Sequence, residues 1–348
     1  MRRFDYTFLE NGLLPADLVN IAYTIGELKQ REKERRQDFP VVFSRMESIA
    51  RVQSVKGSNA IEGIVTTDER ISEIVNQNSA PVNHDEAEIA GYRDALAMIH
   101  DGMATLDIRE ADILGLHQVM LAYTPAGGGW YKDFDNVIAQ IDAQGMRKVR
   151  FAPTPAADTP AAMEQLILAY MEARSNPAIN PLLLIPSFIL DFLCIHPFAD
   201  GNGRMSRLLS LLMLYKSGFD AGRFISFEEQ INQGRGQYYE ALRLSSQGWH
   251  TNENTYFPFI GNFITTLMYC YKELDKRFAV VNARKVTKRL RVEATILNSL
   301  LPISKQEICG ILPDVSPTTV EAILADMVRN QQVEKIGAGR STRYVRHI

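Results

Sequence analysis

Between Cys194 and Arg207 the chain reads CIHPFADGNGRMSR, a run of residue types that pack poorly and react or bind well. His196 precedes a proline, which cannot donate to the previous turn and disfavours helical geometry on the residue before it; a helix should therefore end there and present the imidazole. Gly201, Asn202 and Gly203 tolerate left-handed and nest-like backbone. Their successive N–H groups, just ahead of a new helix, would cradle an anion. Arg204 and Arg207 are three apart on that helix, so both guanidinium groups share a face and can reach further phosphate oxygens. Asp200, directly before the cradle, suits Mg²⁺, an ion that takes one or two carboxylates and completes its shell with substrate oxygens. Each feature is ordinary alone; together, within residues 196–207, they point to phosphate chemistry. No Gly-Lys-Ser/Thr follows, which excludes a Walker loop, and no strand precedes, which excludes a dinucleotide fingerprint.

The elements that must position this loop are mostly helical. ADLVNIAYTIGELKQRE, ARVQSVKGSNAIEG, EIAGYRDALAMIHD, READILGLHQVMLAYT, PAAMEQLILAYMEARS, PLLLIPSFILDFLCIH and GRMSRLLSLLMLYKSG all carry apolar residues at three- and four-residue spacing. The exception lies between GGGWYKD and RFAPTP, where NVIAQI and MRKVRF flank DAQG and predict a β-hairpin between helices. After about residue 285 the pattern becomes helix, helix, helix, then a two-stranded ribbon around glycines, the order of a winged helix-turn-helix. There Ser304 with Glu307 predicts a capping box, and Ser316-Pro317 predicts a helix start.

At 348 residues, with 46% hydrophobic and 23% charged residues and a net charge of −3, the chain reads as two or three globular units and not as a nucleic-acid coat. The N-terminal MRRFDYTFLENG lacks a signal-peptide core, and no stretch reaches the roughly 18 apolar residues of a membrane span. Cys194, Cys270 and Cys309 are too few and too scattered for a disulfide framework or a CxxC metal pair, so a cytoplasmic location is expected.

HPFADGNGRMSR resembles the His-Pro-Phe-x-Asp/Glu-Gly-Asn-Gly-Arg-x-x-Arg signature of Fic (filamentation induced by cAMP) proteins, with every specified position matched. The resemblance extends to the preceding helix, the hairpin and the later QYYEAL, over most of residues 40–265. It implies a mainly α protein: an N-terminal helical region (1–100) with an inhibitory helix at about 46–63, then a Fic core (101–265) with a hairpin flap at about 130–152. A linker helix (266–284) and the winged helix (285–348) would follow. The implied activity is transfer of AMP from ATP to a protein hydroxyl. His196 would be the general base, its ordinary pKa of about 6.5 suiting neutral pH. Asp200 would position Mg²⁺, Gly201, Asn202 and Gly203 would hold α- and β-phosphate oxygens, and Arg204 would neutralise the β-phosphate. Phe198 would anchor the loop. Tyr238 and Tyr239 match an aromatic pair near adenine, although Tyr239 also suits a core-facing helix position. The flap would dock a target segment by main-chain pairing through Asn136, Val137 and Ile138. Lys132, Ala139 and Ser246 depart from the residues common in the family, arginine, glycine and asparagine.

Upstream, SNAIEG places Ser58 and Glu62 four apart on a helix ended by glycine. It resembles the Ser/Thr-x-x-x-Glu-Gly/Asn inhibitory motif, which implies that Glu62 pairs with Arg207 and denies it to the γ-phosphate; the same acid would also serve removal of AMP. The expected partners are a target protein presenting a hydroxyl side chain, or the chain itself. DNA or a protein would engage the winged helix, whose last fourteen residues carry Lys335, Arg340, Arg343 and Arg346. A homodimer is also consistent with the family. Two alternatives stay open: a DNA-binding regulator with a nucleotide-sensing core, and transfer of another phosphate-containing group.

Overall fold

A computed structural model describes residues 2–141, 147–282, 287–297, 299 and 302–346. In chain order these form α1 (Phe8–Asn11), α2 (Ala16–Asp38), α3 (Pro40–Ile61), α4 (Asp68–Gln77), α5 (His84–Gly102) and α6 (Glu110–Met120). A hairpin of β1 (Ile138–Ile141) and β2 (Arg147–Phe151) comes next, before α7 (Thr159–Ser175), α8 (Pro181–Ile195) and α9 (Asn202–Lys216). Then follow α10 (Phe227–Gln233), α11 (Arg235–Ser246) and α12 (Phe257–Asn282). The C-terminal part contains α13 (Lys288–Leu297), α14 (Lys305–Ile311), α15 (Pro317–Arg329), β3 (Val333–Ile336) and β4 (Arg343–Arg346).

α8 is the axis of the fold. Every residue from Leu182 to Ile195 is buried, because α7, α9 and α12 surround a largely apolar stretch. One polar residue on it, Asp191, is satisfied by the N-terminal segment folded over it. Tyr6 Oη donates to its carboxylate at 2.9 Å, Trp249 Nε1 at 2.6 Å and Tyr256 Oη at 2.9 Å, with Arg2 Nη2 3.4 Å away. Residues 4–99 and 101–278 contribute to one hydrophobic cluster, so the N-terminal helices and the loop-bearing core pack as one body. The helix expected to link two units from 266 starts earlier, at Phe257, and runs unbroken to Asn282. Its buried Phe259, Phe263, Leu267, Tyr271, Leu274 and Phe278 belong to that main cluster, because its apolar stripe needs the cover that α2 supplies.

Antiparallel β1 and β2 pair Ile138 with Phe151 and Ile141 with Arg147, with a register shift between Ile138 and Ala139. The expected turn at 142–145 lies outside the described residues. A second cluster gathers Val292, Ile296, Ile308, Leu312, Val320, Leu324, Met327 and Val333. Here Ser304 and Glu307 form a capping box, and Ser316 caps α15 with Pro317 at its first turn. β3 and β4 pair antiparallel, Val333 opposite Arg346. Val42 on α3 touches both clusters, and Arg45 Nη1 lies 3.3 Å from Glu307, so α3 bridges the two bodies.

Candidate active site

Asn180 caps α8 by accepting from Leu182 N–H at 2.9 Å, and Pro181 takes the first helical position. The helix ends on His196, whose backbone is left-handed at φ 53°, a conformation that costs a non-glycine residue about 1–2 kcal/mol. Its N–H still donates to Phe192 O at 2.9 Å. The loop beyond is clamped from several elements, which is what sustains such strain. Asn202 accepts from Phe198 N–H at 2.9 Å through Oδ1 and donates to Phe198 O at 2.8 Å through Nδ2. Lys132 N–H donates to Pro197 O at 2.9 Å, and Lys132 Nζ donates to Ile195 O at 3.2 Å and Asn136 Oδ1 at 2.9 Å. Asn136 Nδ2 adds a bond of 3.3 Å to Phe198 O. Phe198 is fully buried against Phe192, Tyr131 and His117.

Gly201 opens α9 at φ 79°, a left-handed conformation that favours glycine, and a Cβ there would also have to push aside Met120 Cε, 2.5 Å away. The N–H groups of Asn202, Gly203 and Arg204 have no carbonyl in a preceding turn, the arrangement in which a helix start binds anions. Asp200 receives Gly201 N–H at 2.6 Å and is otherwise largely exposed. One open carboxylate beside an anion cradle fits the oxygen-donor demands of Mg²⁺ shared with a phosphate substrate.

Two histidines flank the loop and hold opposite tautomers. His196 Nδ1 faces Leu193 O at 3.3 Å; a carbonyl only accepts, so Nδ1 carries the proton and Nε2 is left as the basic nitrogen. Burial pushes its pKa down to about 4, lower than the ordinary value expected from the sequence. Neighbouring Lys132 adds to the shift, while the Leu193 bond, Glu62 and Asp200 oppose it. His117 on α6 accepts from Gly129 N–H at 3.0 Å through Nδ1, so Nε2 carries the proton and donates to Asp200 O at 3.1 Å. Its ring stacks on Phe198 with centroids 3.7 Å apart, and burial lowers its pKa to about 4. His117 therefore ties α6 and the approach to the flap onto the loop. Sequence reasoning assigned it no role; its place on an apolar helical stretch carries no sign of a loop packed across it.

The arginines part company. Arg204 is buried, its Nη1 on Glu88 of α5 and its Nη2 3.4 Å from Asp200 Oδ2, so only the Nη2 edge faces the cradle. Glu88, missed in the sequence, lies more than a hundred residues upstream and no local spacing marks it. Arg207 is equally buried but meets α3. Nε donates to Ser58 Oγ at 2.8 Å, and Nη2 donates to Ser58 O at 2.9 Å and Glu62 Oε1 at 2.8 Å. Glu62 is the residue at which α3 stops, and Gly63 turns away at φ 83°. Its carboxylate lies over the cradle so closely that a Cβ on Gly203 would overlap Oε1.

A cavity of about 730 Å³ opens above these groups, lined by Glu62, His196, Gly203, Arg207, Tyr238 and Tyr239 among others. This is the size and mixed lining of a small-molecule site. Tyr238 is the more buried of the tyrosines, packed on Phe259, with burial raising its pKa to about 12; Tyr239 is the more open. Arg150 of β2 covers Tyr239 at 5.8 Å from the ring centroid, and Ile138 and Ser246 complete the rim.

Residues 107–214 match the Fic/DOC family. The chain carries a Fic domain. A Fido domain-containing protein of Dictyostelium discoideum is 31% identical over 90 residues, which is 26% of this chain and 59% of that protein. A protein adenylyltransferase Fic of Drosophila grimshawi is 28% identical over 163 residues, 46% of this chain and 30% of that protein. The match thus spans less than two thirds of these relatives' length. Among solved structures, a Fic family protein from Desulfovibrio desulfuricans superposes with a TM-score of 0.63 at 20% identity, over 96% of this chain and 97% of that one. A Fic domain containing signaling protein from Bacteroides thetaiotaomicron gives 0.59 at 20% identity, over 74% and 94%.

His196, Gly203, Arg207 and Ile138 of the matched residues share the cavity lining with Glu62, Tyr238 and Tyr239, which lie outside residues 107–214. Asn202 spends its side chain on Phe198, so its backbone N–H is what it offers an anion. Asn136 likewise holds the loop, whereas Val137 is exposed.

Proposed function

We propose that the chain is a self-inhibited protein adenylyltransferase. The observation that carries the reading is the cavity itself: the basic nitrogen of His196, the cradle at Gly203, Arg207 and the aromatic pair line one space, with Glu62 already on Arg207. ATP would lie with its base toward Tyr238 and Tyr239 and its phosphates over the start of α9. His196 Nε2 takes the proton of a target Ser, Thr or Tyr hydroxyl. The oxygen bonds to the α-phosphorus, the bond to the α–β bridging oxygen breaks, and pyrophosphate leaves with its electron pair. A neutral imidazole at pH 7 is in the form this step needs, and the clamped loop supplies positioning. Asp200 would hold Mg²⁺, whose charge would offset that of the phosphates. With Asn136 committed to the loop, the target would pair with the main chain at Val137 and Ile138.

Glu62 occupies the guanidinium that the γ-phosphate would use, so the resting chain is slow. A charge-assisted hydrogen bond of about 1.5–3 kcal/mol corresponds to roughly tenfold to hundredfold inhibition. The test is Glu62→Gly incubated with labelled ATP and Mg²⁺, with mass spectrometry of the product. Labelling of itself or a target should rise at least about tenfold, and His196→Ala in that background should abolish it. No rise sinks the lock, and full activity without His196 sinks the base. The mass added also distinguishes AMP from another phosphate-containing group, and adding the wild-type chain to the labelled product reports removal of AMP by Glu62.

We read residues 285–348 as a winged helix. Three cations on its helices are matched nearby, Arg289 with Asp326, Arg291 with Asp314 and Lys305 with Glu321, which favours a protein partner, including a second copy, over DNA at that face. Three unpaired cysteines suit a cytoplasmic setting; among the described residues no helix is long and apolar enough to cross a membrane.

A further inference from the structure

Around α3 lies a buried polar cluster that the proposed transfer does not use. Ser58 of α3 accepts from Arg207 Nε at 2.8 Å through Oγ, and one turn earlier on the same helix Ser54 Oγ donates to Glu228 Oε2 of α10 at 2.7 Å. Ser226 Oγ donates to the same oxygen at 3.2 Å, and Tyr92 on α5 donates to Glu228 Oε1 at 3.1 Å. Ser54, Ser58, Tyr92 and Glu228 are each buried. The carboxylate thus gathers donors from α3 and α5 and pins the turn of α3 that carries Ser58. A buried acid with only hydroxyl partners is costly, and no packing demand explains why α10 carries one opposite α3.

We propose that Glu228, acting through Ser54 and the turn of α3 that carries Ser58, is a positioning residue that fixes the Arg207 guanidinium so that the site distinguishes a nucleoside triphosphate from a diphosphate. The inference rests on the reading that Arg207 meets the terminal phosphate. Ser58 takes two of the five donors of Arg207 and Glu62 takes a third, so one helix, α3, both aims the arginine and blocks it. Relief of inhibition is therefore a local movement at Glu62 and Gly63, because lifting α3 away would also remove Ser58. The helix is seated for staying: Gly57 approaches the Glu229 backbone so closely that a Cβ would lie 3.0 Å from its Cα and N.

The experiment compares ATP and ADP affinity by calorimetry on the full chain, in Glu62→Gly and in the same background with Ser54→Ala or Glu228→Gln, folding being checked by circular dichroism. Glu62→Gly should prefer ATP, and each added substitution should lower the ATP-to-ADP affinity ratio by about tenfold, the loss of one hydrogen bond to a charged group. A general packing defect would weaken both nucleotides alike and leave the ratio unmoved. An unchanged ratio in folded Ser54→Ala overturns the proposal even if Glu62→Gly labels protein normally, and Ser54→Ala decides if Glu228→Gln does not fold. Absence of an ATP preference in Glu62→Gly also overturns it. A ratio that falls as expected without any labelling supports the positioning role and instead refutes AMP transfer.

Discussion

Lowering the pH from 7 to 5 should destabilise the fold through His196 and His117, and the size of the effect follows from their burial. Each imidazole is held near pKa 4 in the folded chain, chiefly by burial, against about 6.5 when unfolded. Between those values the unfolded chain binds the extra proton. The stabilisation is therefore complete above pH 6.5 and is lost as the pH falls toward 4. At pH 5 an unfolded imidazole is about 97% protonated and the folded one about 9%; integrating from pH 7 gives about 2 kcal/mol per histidine. For His196, whose edge opens to the cavity, that figure is a ceiling. The assay is urea unfolding at pH 7 and pH 5 for wild type and His196→Asn, a replacement that tolerates the left-handed backbone and does not titrate. Carboxylates common to both proteins cancel in the comparison. Wild type should lose up to about 2 kcal/mol more than the variant over that interval. Equal losses, or an imidazole resonance of His196 titrating near pH 6.5, would refute the argument that burial keeps this residue a neutral base.

Asp191→Asn should cost about 3–5 kcal/mol in denaturant unfolding, because an amide cannot accept from Tyr6, Trp249 and Tyr256 together and leaves the Arg2 charge buried without its partner; a cost below 1 kcal/mol contradicts this. Asn202→Ala should cost about 1–3 kcal/mol, since Phe198 O keeps Asn136 while Phe198 N–H loses its acceptor. The same variant should slow labelling in the Glu62→Gly background, and unchanged labelling with unchanged melting would show that the loop is held without this side chain.

Much of the site could be read from the run 196–207 and from SNAIEG, because those stretches combine chemistry with local backbone rules. A histidine before proline stops a helix, a Gly-Asn-Gly run allows a tight turn into the next helix, and a glycine after Glu62 ends α3. The caps of α14 and α15 are legible for the same reason, each involving partners three residues apart. The tyrosine pair was legible as a pair, while which ring faces the core depended on where α12 lies.

The sequence by itself determined which side chains crowd the loop, where helices stop and start, and that an acid at 62 accompanies two arginines downstream. These follow from steric and hydrogen-bonding rules acting over three or four residues. The tertiary structure decided what each group does with its bonds. It gave Arg204 to Glu88 and Arg207 to Ser58 and Glu62, turned Asn202 and Asn136 into clamps, and left Nε2 of His196 free while protonating Nε2 of His117. Those outcomes depend on partners up to 149 residues away in the chain. Burial then set how strongly each charge needs its partner, and both are properties of the packed chain that local spacing does not contain.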